Sequence, residues 1–216
     1  MSSEVRLKIT EIFHSLQGEA QFAGMPTVFV RLTGCPLRCQ YCDTAYAFHG
    51  GDWWNLAQIL ARVAELRARD VCVTGGEPLA QRGCAALLAA LCEQGYRVSL
   101  ETSGALPVEG LDARVVRVVD VKTPGSGEES RNLYPQLQQL QGQDQIKFVI
   151  TSRADYEWSR AKLEELGLGQ ACGVLFSPSY GQVEPRELAE WILADHLPVR
   201  FQIQLHKYLW GNVPGK

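Results

Sequence analysis

The chain has 216 residues, 46% of them hydrophobic and 21% charged, with a formal net charge of −3, which suits one ordinary globular domain with a substantial core. That mild negative charge gives no electrostatic reason to bind nucleic acid or an acidic membrane, and no apolar run approaches the roughly 18–20 residues a membrane span needs. The opening MSSEVRLKITEIF lacks the basic start, apolar stretch and small-residue cleavage site of a signal peptide, so a cytoplasmic protein is expected.

In chain order, apolar and β-branched segments predict strands at Leu7–Phe13 and Val28–Leu32. A helix is predicted over Asn55–Ala68, with Leu56, Ile59, Leu60, Val63 and Leu66 on one face and Asn55 as N-cap. Then come a strand at Val71–Thr74, an Ala- and Leu-rich helix over Gln81–Glu93 stopped at Gly95, and strands at Arg97–Glu101 and Val115–Val121. The Pro/Gly/Ser-rich segment Lys122–Ser130 is one long loop. A strand at Ile146–Ile150 precedes a helix over Arg153–Leu166 that ends at Gly167. The strand Gly173–Phe176, a helix Pro185–Ala194 with proline in its first turn, and a strand Val199–Gln204 complete the series. Alternating strands and helices imply an α/β fold with a mostly parallel sheet. The chain is short for an eight-fold barrel of about 250 residues, so a partial, open βα barrel of about six units is expected, as one domain over 1–216 with a C-terminal extension.

The unusual polar residues sit just after predicted strands. They are Gly34–Asp43, Gly75–Pro78, Thr102–Gly104, Lys122–Gly127, Ser177–Gly181 and His206–Trp210, the last read as a loop. In parallel βα folds these loops gather on one face and build the active site there.

Seven cysteines in a cytoplasmic chain do not suggest a disulfide framework. Cys72, Cys84, Cys92 and Cys172 lie among apolar neighbours and are assigned to the core. Cys35-x3-Cys39-x2-Cys42 instead places three thiols within eight residues of a polar loop. Such a loop can wrap an iron–sulfur cubane and leave one iron open to another ligand. A Cys3His zinc site completed by His49 is the competing reading.

With the aromatic Tyr41 before its last cysteine, this motif resembles the radical S-adenosylmethionine (SAM) superfamily, and Thr74-Gly75-Gly76-Glu77-Pro78 resembles the superfamily's GGEP turn. The resemblance implies a 4Fe–4S cluster on Cys35, Cys39 and Cys42 whose open iron chelates the methionine end of SAM. One electron then cleaves SAM to methionine and a 5′-deoxyadenosyl radical, chemistry that side chains alone do not supply. Glu77 is expected to offer its carboxylate to the SAM ammonium, with the two glycines allowing close approach.

Five further segments, in order, resemble the 7-carboxy-7-deazaguanine synthase family of queuosine biosynthesis. They are Glu11–Glu19 (EIFHSLQGE), Val28–Cys35 (VFVRLTGC), Cys42-Asp43-Thr44, Glu101-Thr102-Ser103-Gly104 and Gln204–Asn212 (QLHKYLWGN). The family's reaction converts 6-carboxy-5,6,7,8-tetrahydropterin to 7-carboxy-7-deazaguanine. It proceeds by hydrogen abstraction at C6, ring contraction, loss of ammonia and regeneration of SAM. By this resemblance Leu16, Gln17, Gly18, Arg31 and Thr102 bind the pterin, with Arg31 on its carboxylate, and Thr44 is a Mg²⁺ ligand. Tyr41, Glu77, Gly104, Asp120, Val121, Lys122, Ser177, Pro178, Ser179 and Tyr180 bind SAM. An external electron donor such as a flavodoxin and a homodimer are implied in the same way. The chain departs from the family pattern with Ala20 in place of a glycine, with Asp120-Val121 in place of Ser-Pro, and in a tail running through Gly211–Lys216, for which no terminal contact is carried over. Trp53 and Trp54 are assigned either to a cover over the site or to packing, and His206 either to proton transfer or to a packed role. A glycyl-radical activase would share the cysteines and the GGEP turn but not the five segments, and a zinc-knot binding module would share neither the turn nor the segments.

Overall fold

In the computed structural model, which describes residues 5–215, the chain builds one nine-stranded sheet in the order β3-β1-β2-β4-β5-β6-β7-β8-β9. The strands are β1 (Arg6–Leu16), β2 (Pro26–Leu32), β3 (Asp52–Asn55), β4 (Asp70–Gly75), β5 (Arg97–Thr102), β6 (Val116–Val121), β7 (Gln145–Ile150), β8 (Gly173–Pro178) and β9 (Arg200–Phe201). β1 runs antiparallel to β2 and β3, and every pairing from β2 through β9 is parallel. The edge strands β3 and β9 do not pair with each other, so the barrel is open.

The helices are α1 (Leu56–Glu65), α2 (Cys84–Glu93), α3 (Arg153–Glu165), α4 (Pro185–Ala194) and α5 (Leu205–Trp210). Local chemistry fixes where several of them begin. Asn55 accepts from the Gln58 backbone N–H while Gln58 reaches back to Asn55, a reciprocal capping box. Ser152 caps α3 by accepting from the Asp155 N–H, and Pro185 opens α4.

Helices fill four of the crossovers, while β5 joins β6 through a loop and β6 joins β7 through short 3-10 segments at 124–126, 129–131 and 134–139. Two sequence expectations near the C-terminus are corrected. The strand expected at Val199–Gln204 shortens to Arg200–Phe201, and the expected loop at His206–Trp210 lies in α5. β3 carries no strand signal in the sequence, because Asp-Trp-Trp-Asn shows no polar/apolar alternation. Its Trp54 packs on the core, whereas Trp53 is 56% exposed with Arg6 over its ring.

Period two along the strands separates the two faces of this sheet. Val28, Val30 and Leu32 of β2, Val71 and Val73 of β4, and Val98 and Leu100 of β5 pack with Ile59, Val63, Leu87, Leu88 and Leu91 of α1 and α2. Val119 and Val121, Ile146, Phe148 and Ile150, and Val174 and Phe176 pack with Tyr156 of α3 and Leu188 and Ile192 of α4. The intervening residues (Phe29, Arg31, Thr74, Glu101, Asp120, Lys147, Val149 and Ser177) line a cavity on the other face. Below that cavity Ala20, Val118 and Leu175 form a small apolar floor. Ala20 adopts φ 62°, a left-handed backbone that glycine takes at no steric cost. The strain falls at the position where the family pattern has glycine, and the alanine methyl helps to close the floor.

Candidate active site

The cavity measures about 700 Å³ and is bounded by the loops after β2, β4, β5, β6 and β8 together with the C-terminal segment. Cys35, Cys39 and Cys42 all line it, each half-buried. The loop that carries them is held by its backbone: the Gly34 N–H donates to Ala47 O at 2.8 Å, and the Glu77 N–H donates to Gly34 O at 2.8 Å. Arg38 straps the loop from outside, donating to the carbonyls of Cys35 (2.8 Å) and Leu37 (2.6 Å) while its guanidinium stacks 4.3 Å from the Phe48 ring. A Cβ on Gly76 would lie 2.3 Å from Gly34 O and 2.7 Å from Cys35 Cβ, so the Gly75-Gly76 turn must lack a side chain to pass beneath the cysteine loop.

Among the described residues no three His, Cys, Asp or Glu side chains converge tightly enough to hold a single metal ion. His49 is exposed and does not line the cavity, so the zinc-knot reading lacks its fourth donor. Three thiols spread along a cavity wall suit the separate corners of a cubane. Burial raises the Cys35 thiol and pushes that of Cys39 up to about 11. Thiolates there therefore need a cationic partner, which cluster iron provides. The residues present fit a 4Fe–4S cluster.

Glu77 is not at the cavity. It is fully buried and its carboxylate is taken by the Leu79 N–H (2.9 Å), the Thr102 hydroxyl (2.9 Å to both oxygens) and the Ser103 N–H (2.6 Å). Through those partners it braces the Thr102–Gly104 loop from behind. Gly104 also lies outside the main cavity. Its φ is 75°, its missing Cβ would meet Asp120 O at 2.2 Å, and its carbonyl accepts from Leu133 N–H and Gln136 Nε2. Val121 and Pro178 are turned away by strand alternation, Val121 into the helix-covered core and Pro178 between the cavity residues Ser177 and Ser179. The remaining residues proposed from sequence do line the cavity: Leu16, Gln17, Gly18, Arg31, Tyr41, Thr44, Thr102, Asp120, Lys122, Ser177, Ser179 and Tyr180. The Tyr41 hydroxyl is buried without a partner among the described residues, and Lys122 Nζ stands 6.0 Å from its ring centroid.

Deeper in, a chain of buried charges crosses the cavity wall. Lys147 Nζ donates to Glu19 Oε2 at 2.7 Å and lies 3.2 Å from Asp120 Oδ1, and Lys122 Nζ donates to Asp120 Oδ2 at 2.7 Å. Burial opposes every one of these charges, but the opposite signs outweigh it. Glu19 and Asp120 are held below the usual carboxylate range, while Lys122 and Lys147 are held above the usual amine range. Glu101 is the exception. Its side-chain partners among the described residues are Gln17 Nε2 and the Thr74 hydroxyl, both long at 3.3 Å. Burial, with Glu19 and Asp120 adding to it, raises its pKa despite Lys147 nearby.

The C-terminal segment closes the remaining side. Gln204 Nε2 bonds Glu19 Oε1 (2.8 Å) and Asp43 Oδ2 (3.2 Å), and Lys207 pairs with Asp43 at 2.7 Å beneath the Tyr180 ring. Leu205 N–H donates to Gly18 O, and a Cβ on Gly18 would sit 2.0 Å from His206 Nδ1. Gly18 is thus fixed by the approach of the His206 ring, which burial keeps below the ordinary histidine pKa. Residues 211–215 run along the cavity; Lys216 lies outside the described residues. Glu101, Lys147, Gln204 and Lys207 received no role from the sequence. The signal that marks the first two was present: single charged residues at period two within otherwise apolar strands.

The model of the radical SAM superfamily matches residues 29–118. A 7-carboxy-7-deazaguanine synthase of Chlorobaculum tepidum is 46% identical over 98% of this chain and 97% of its own, and one of Koribacter versatilis is 42% identical over 94% and 97%. The crystal structure of QueE from Escherichia coli superposes with a TM-score of 0.77 at 25% identity, over 93% of this chain and 95% of that one. The open nine-stranded sheet, the three-thiol loop over the glycine turn and these near full-length likenesses agree, and the chain belongs to the 7-carboxy-7-deazaguanine synthase family of radical SAM enzymes.

Proposed function

We propose that this chain contracts the ring of 6-carboxy-5,6,7,8-tetrahydropterin to 7-carboxy-7-deazaguanine with loss of ammonia, a lyase step of queuosine biosynthesis. The observation that carries this reading is the 46% identity with a synthase across nearly all of both chains. When bound, the cluster supplies the electron that turns SAM into a source of the 5′-deoxyadenosyl radical.

The chain's own residues divide the remaining work. Cys35, Cys39 and Cys42 hold the cluster at the cavity rim. Asp120, Lys122, Ser177, Ser179 and Tyr180 flank the SAM side, with the Tyr41 phenol as an unspent hydrogen-bonding group beside it. The pterin lies deeper. Arg31 meets its carboxylate, and Thr44, on the rim beside Cys42, joins substrate oxygens around Mg²⁺, which prefers hard oxygen donors. Glu101, a partly buried acceptor short of donors, suits the adjacent N–H groups of a pterin's amino-pyrimidinone edge. The strand walls and the 211–215 segment keep water from the reacting carbon. A single catalytic domain spanning the chain with its C-terminal extension, a homodimeric assembly, cytoplasmic residence and reduction by a flavodoxin-type donor complete the proposal. Among the described residues no helix is long and apolar enough to cross a membrane.

The test is anaerobic incubation of cluster-loaded protein with reductant, SAM, Mg²⁺ and 6-carboxy-5,6,7,8-tetrahydropterin. The expected result is 7-carboxy-7-deazaguanine and ammonia in equal amounts, with SAM not consumed in proportion. Deoxyadenosine without that product would sink the assignment.

A further inference from the structure

Glu11 and Arg31 are cross-strand neighbours in the β1–β2 pairing. Arg31 Nε donates to Glu11 Oε1 at 2.7 Å, and the Tyr46 hydroxyl donates to the same oxygen at 2.8 Å. The guanidinium sits between two rings, 5.7 Å from the centroid of Phe13 and 5.8 Å from that of Tyr46; Phe13 in turn stacks on Phe29 at 4.9 Å. A guanidinium can grip a carboxylate through its Nε–Nη side or through its two Nη groups. Glu11 occupies the Nε side. The two Nη groups have no hydrogen-bond partner among the described residues, and Arg31 lines the cavity whereas Glu11 does not. Tyr46 belongs to the 3-10 turn Ala45–Phe48, for which Thr44 is the N-terminal cap position. One carboxylate oxygen therefore fixes both the rotation of the arginine fork and the turn that carries Thr44.

We infer that Glu11 is a positioning residue for substrate-carboxylate recognition, acting through Arg31 and Tyr46 without touching the substrate. It points the Nη pair of Arg31 at the ligand and holds the Thr44 turn at the distance where the two can share one carboxylate. This inference rests on the reading that the pterin's carboxylate meets Arg31.

The test measures equilibrium binding of 6-carboxy-5,6,7,8-tetrahydropterin and of tetrahydropterin lacking the carboxylate. The protein is cluster-loaded, SAM and Mg²⁺ are present, and reductant is omitted so that nothing turns over. Glu11→Ala is expected to weaken the carboxylated ligand by about 10- to 30-fold, the loss typical of one charge-assisted contact, and the uncarboxylated ligand by less than about twofold. Glu11→Gln, which still presents an oxygen to Nε, is expected to recover most of that loss, and Tyr46→Phe to fall between. In turnover the same loss should appear in KM with kcat nearly unchanged. Equal weakening of both ligands, or of neither, overturns the role of Glu11. Arg31→Met separates the two layers: if it binds the two ligands with the wild-type ratio, the carboxylate is not read by Arg31 and the underlying assignment fails.

Discussion

The same six parallel strands present two chemically opposite surfaces. On the helix-covered side, β2 and β4 to β8 offer Val, Leu, Ile and Phe that meet the apolar stripes of α1 to α4. On the cavity side, one residue away in sequence, they offer Arg31, Thr74, Glu101, Asp120, Lys147 and Ser177. The first surface gains from removing apolar area from water and tolerates aliphatic exchanges that conserve volume. The second buries charges at a cost that only specific partners offset. It therefore tolerates little change, and groups left incompletely partnered there among the described residues, the Arg31 fork, the Glu101 carboxylate and the Tyr41 hydroxyl, are those a ligand would complete.

The sharpest way to separate the two surfaces is Cys39→Ala. The thiol is half-buried on a loop outside the helix-covered core, so iron and sulfide content should collapse and product formation fall by about three orders of magnitude or more. The denaturation midpoint of the cluster-free protein should barely move. A large fall in that midpoint would mean that the loop is integral to the fold.

Phe148→Ala attacks the other surface. Phe148 is fully buried and touches the rings of Trp158 and Phe176. A loss of about 3–5 kcal/mol is expected from denaturant unfolding, with kcat of the folded fraction within a few-fold of wild type. A selective loss of catalysis without loss of stability would erase the division proposed here.

Lys147→Met tests whether the cavity surface also carries stability. It leaves Glu19 without its cation and Asp120 with Lys122 alone, for an expected cost of about 3 kcal/mol near neutral pH. Wild-type Glu19 has a depressed native pKa despite its burial. Its contribution is thus present above the unfolded carboxylate pKa of about 4.3 and lost as pH falls through the native value. The deficit of the variant should accordingly hold from pH 7 to about pH 5 and shrink only as pH falls below the unfolded carboxylate value of about 4.3. A pH-independent deficit would show that packing of the lysine stem, not its charge, is what matters.

Glu101→Gln is expected to have the smallest effect, and the opposite sign. The raised native pKa means that ionisation of Glu101 costs the ligand-free protein stability as pH rises above the unfolded carboxylate value. Removing that charge should raise the melting temperature at pH 7 by a few degrees, on the order of 1 kcal/mol, and by less towards pH 5. The same substitution should weaken pterin binding, a stability gain bought with lost affinity.

Much of this was legible beforehand because it is local. Cys35, Cys39 and Cys42 lie within one loop, so their spacing alone bounds how far apart the thiols can be. Asn55 with Gln58 and Pro185 mark helix starts through contacts within one turn. The brace role of Glu77 was not legible. A carboxylate in a glycine turn suits a ligand equally well until the chain's path brings Thr102 and Ser103, some 25 residues on, against it. The same holds for α5, too short and too aromatic for a helical period to show, which is held in place by Gly18 and Asp43 from the other end of the chain.

The amino-acid sequence by itself determined the periodicities that make the strands and helices, the three-thiol loop and the family, since each depends on residues close in sequence or on their order along the chain. Only the tertiary structure decided which charged residues meet. Glu19 and Lys147 stand 128 positions apart and Gln204 and Asp43 161 apart, and no local rule connects such pairs. Curvature of the open sheet brings them to one cavity, where low polarity makes each charge depend on a partner that only the folded chain can supply.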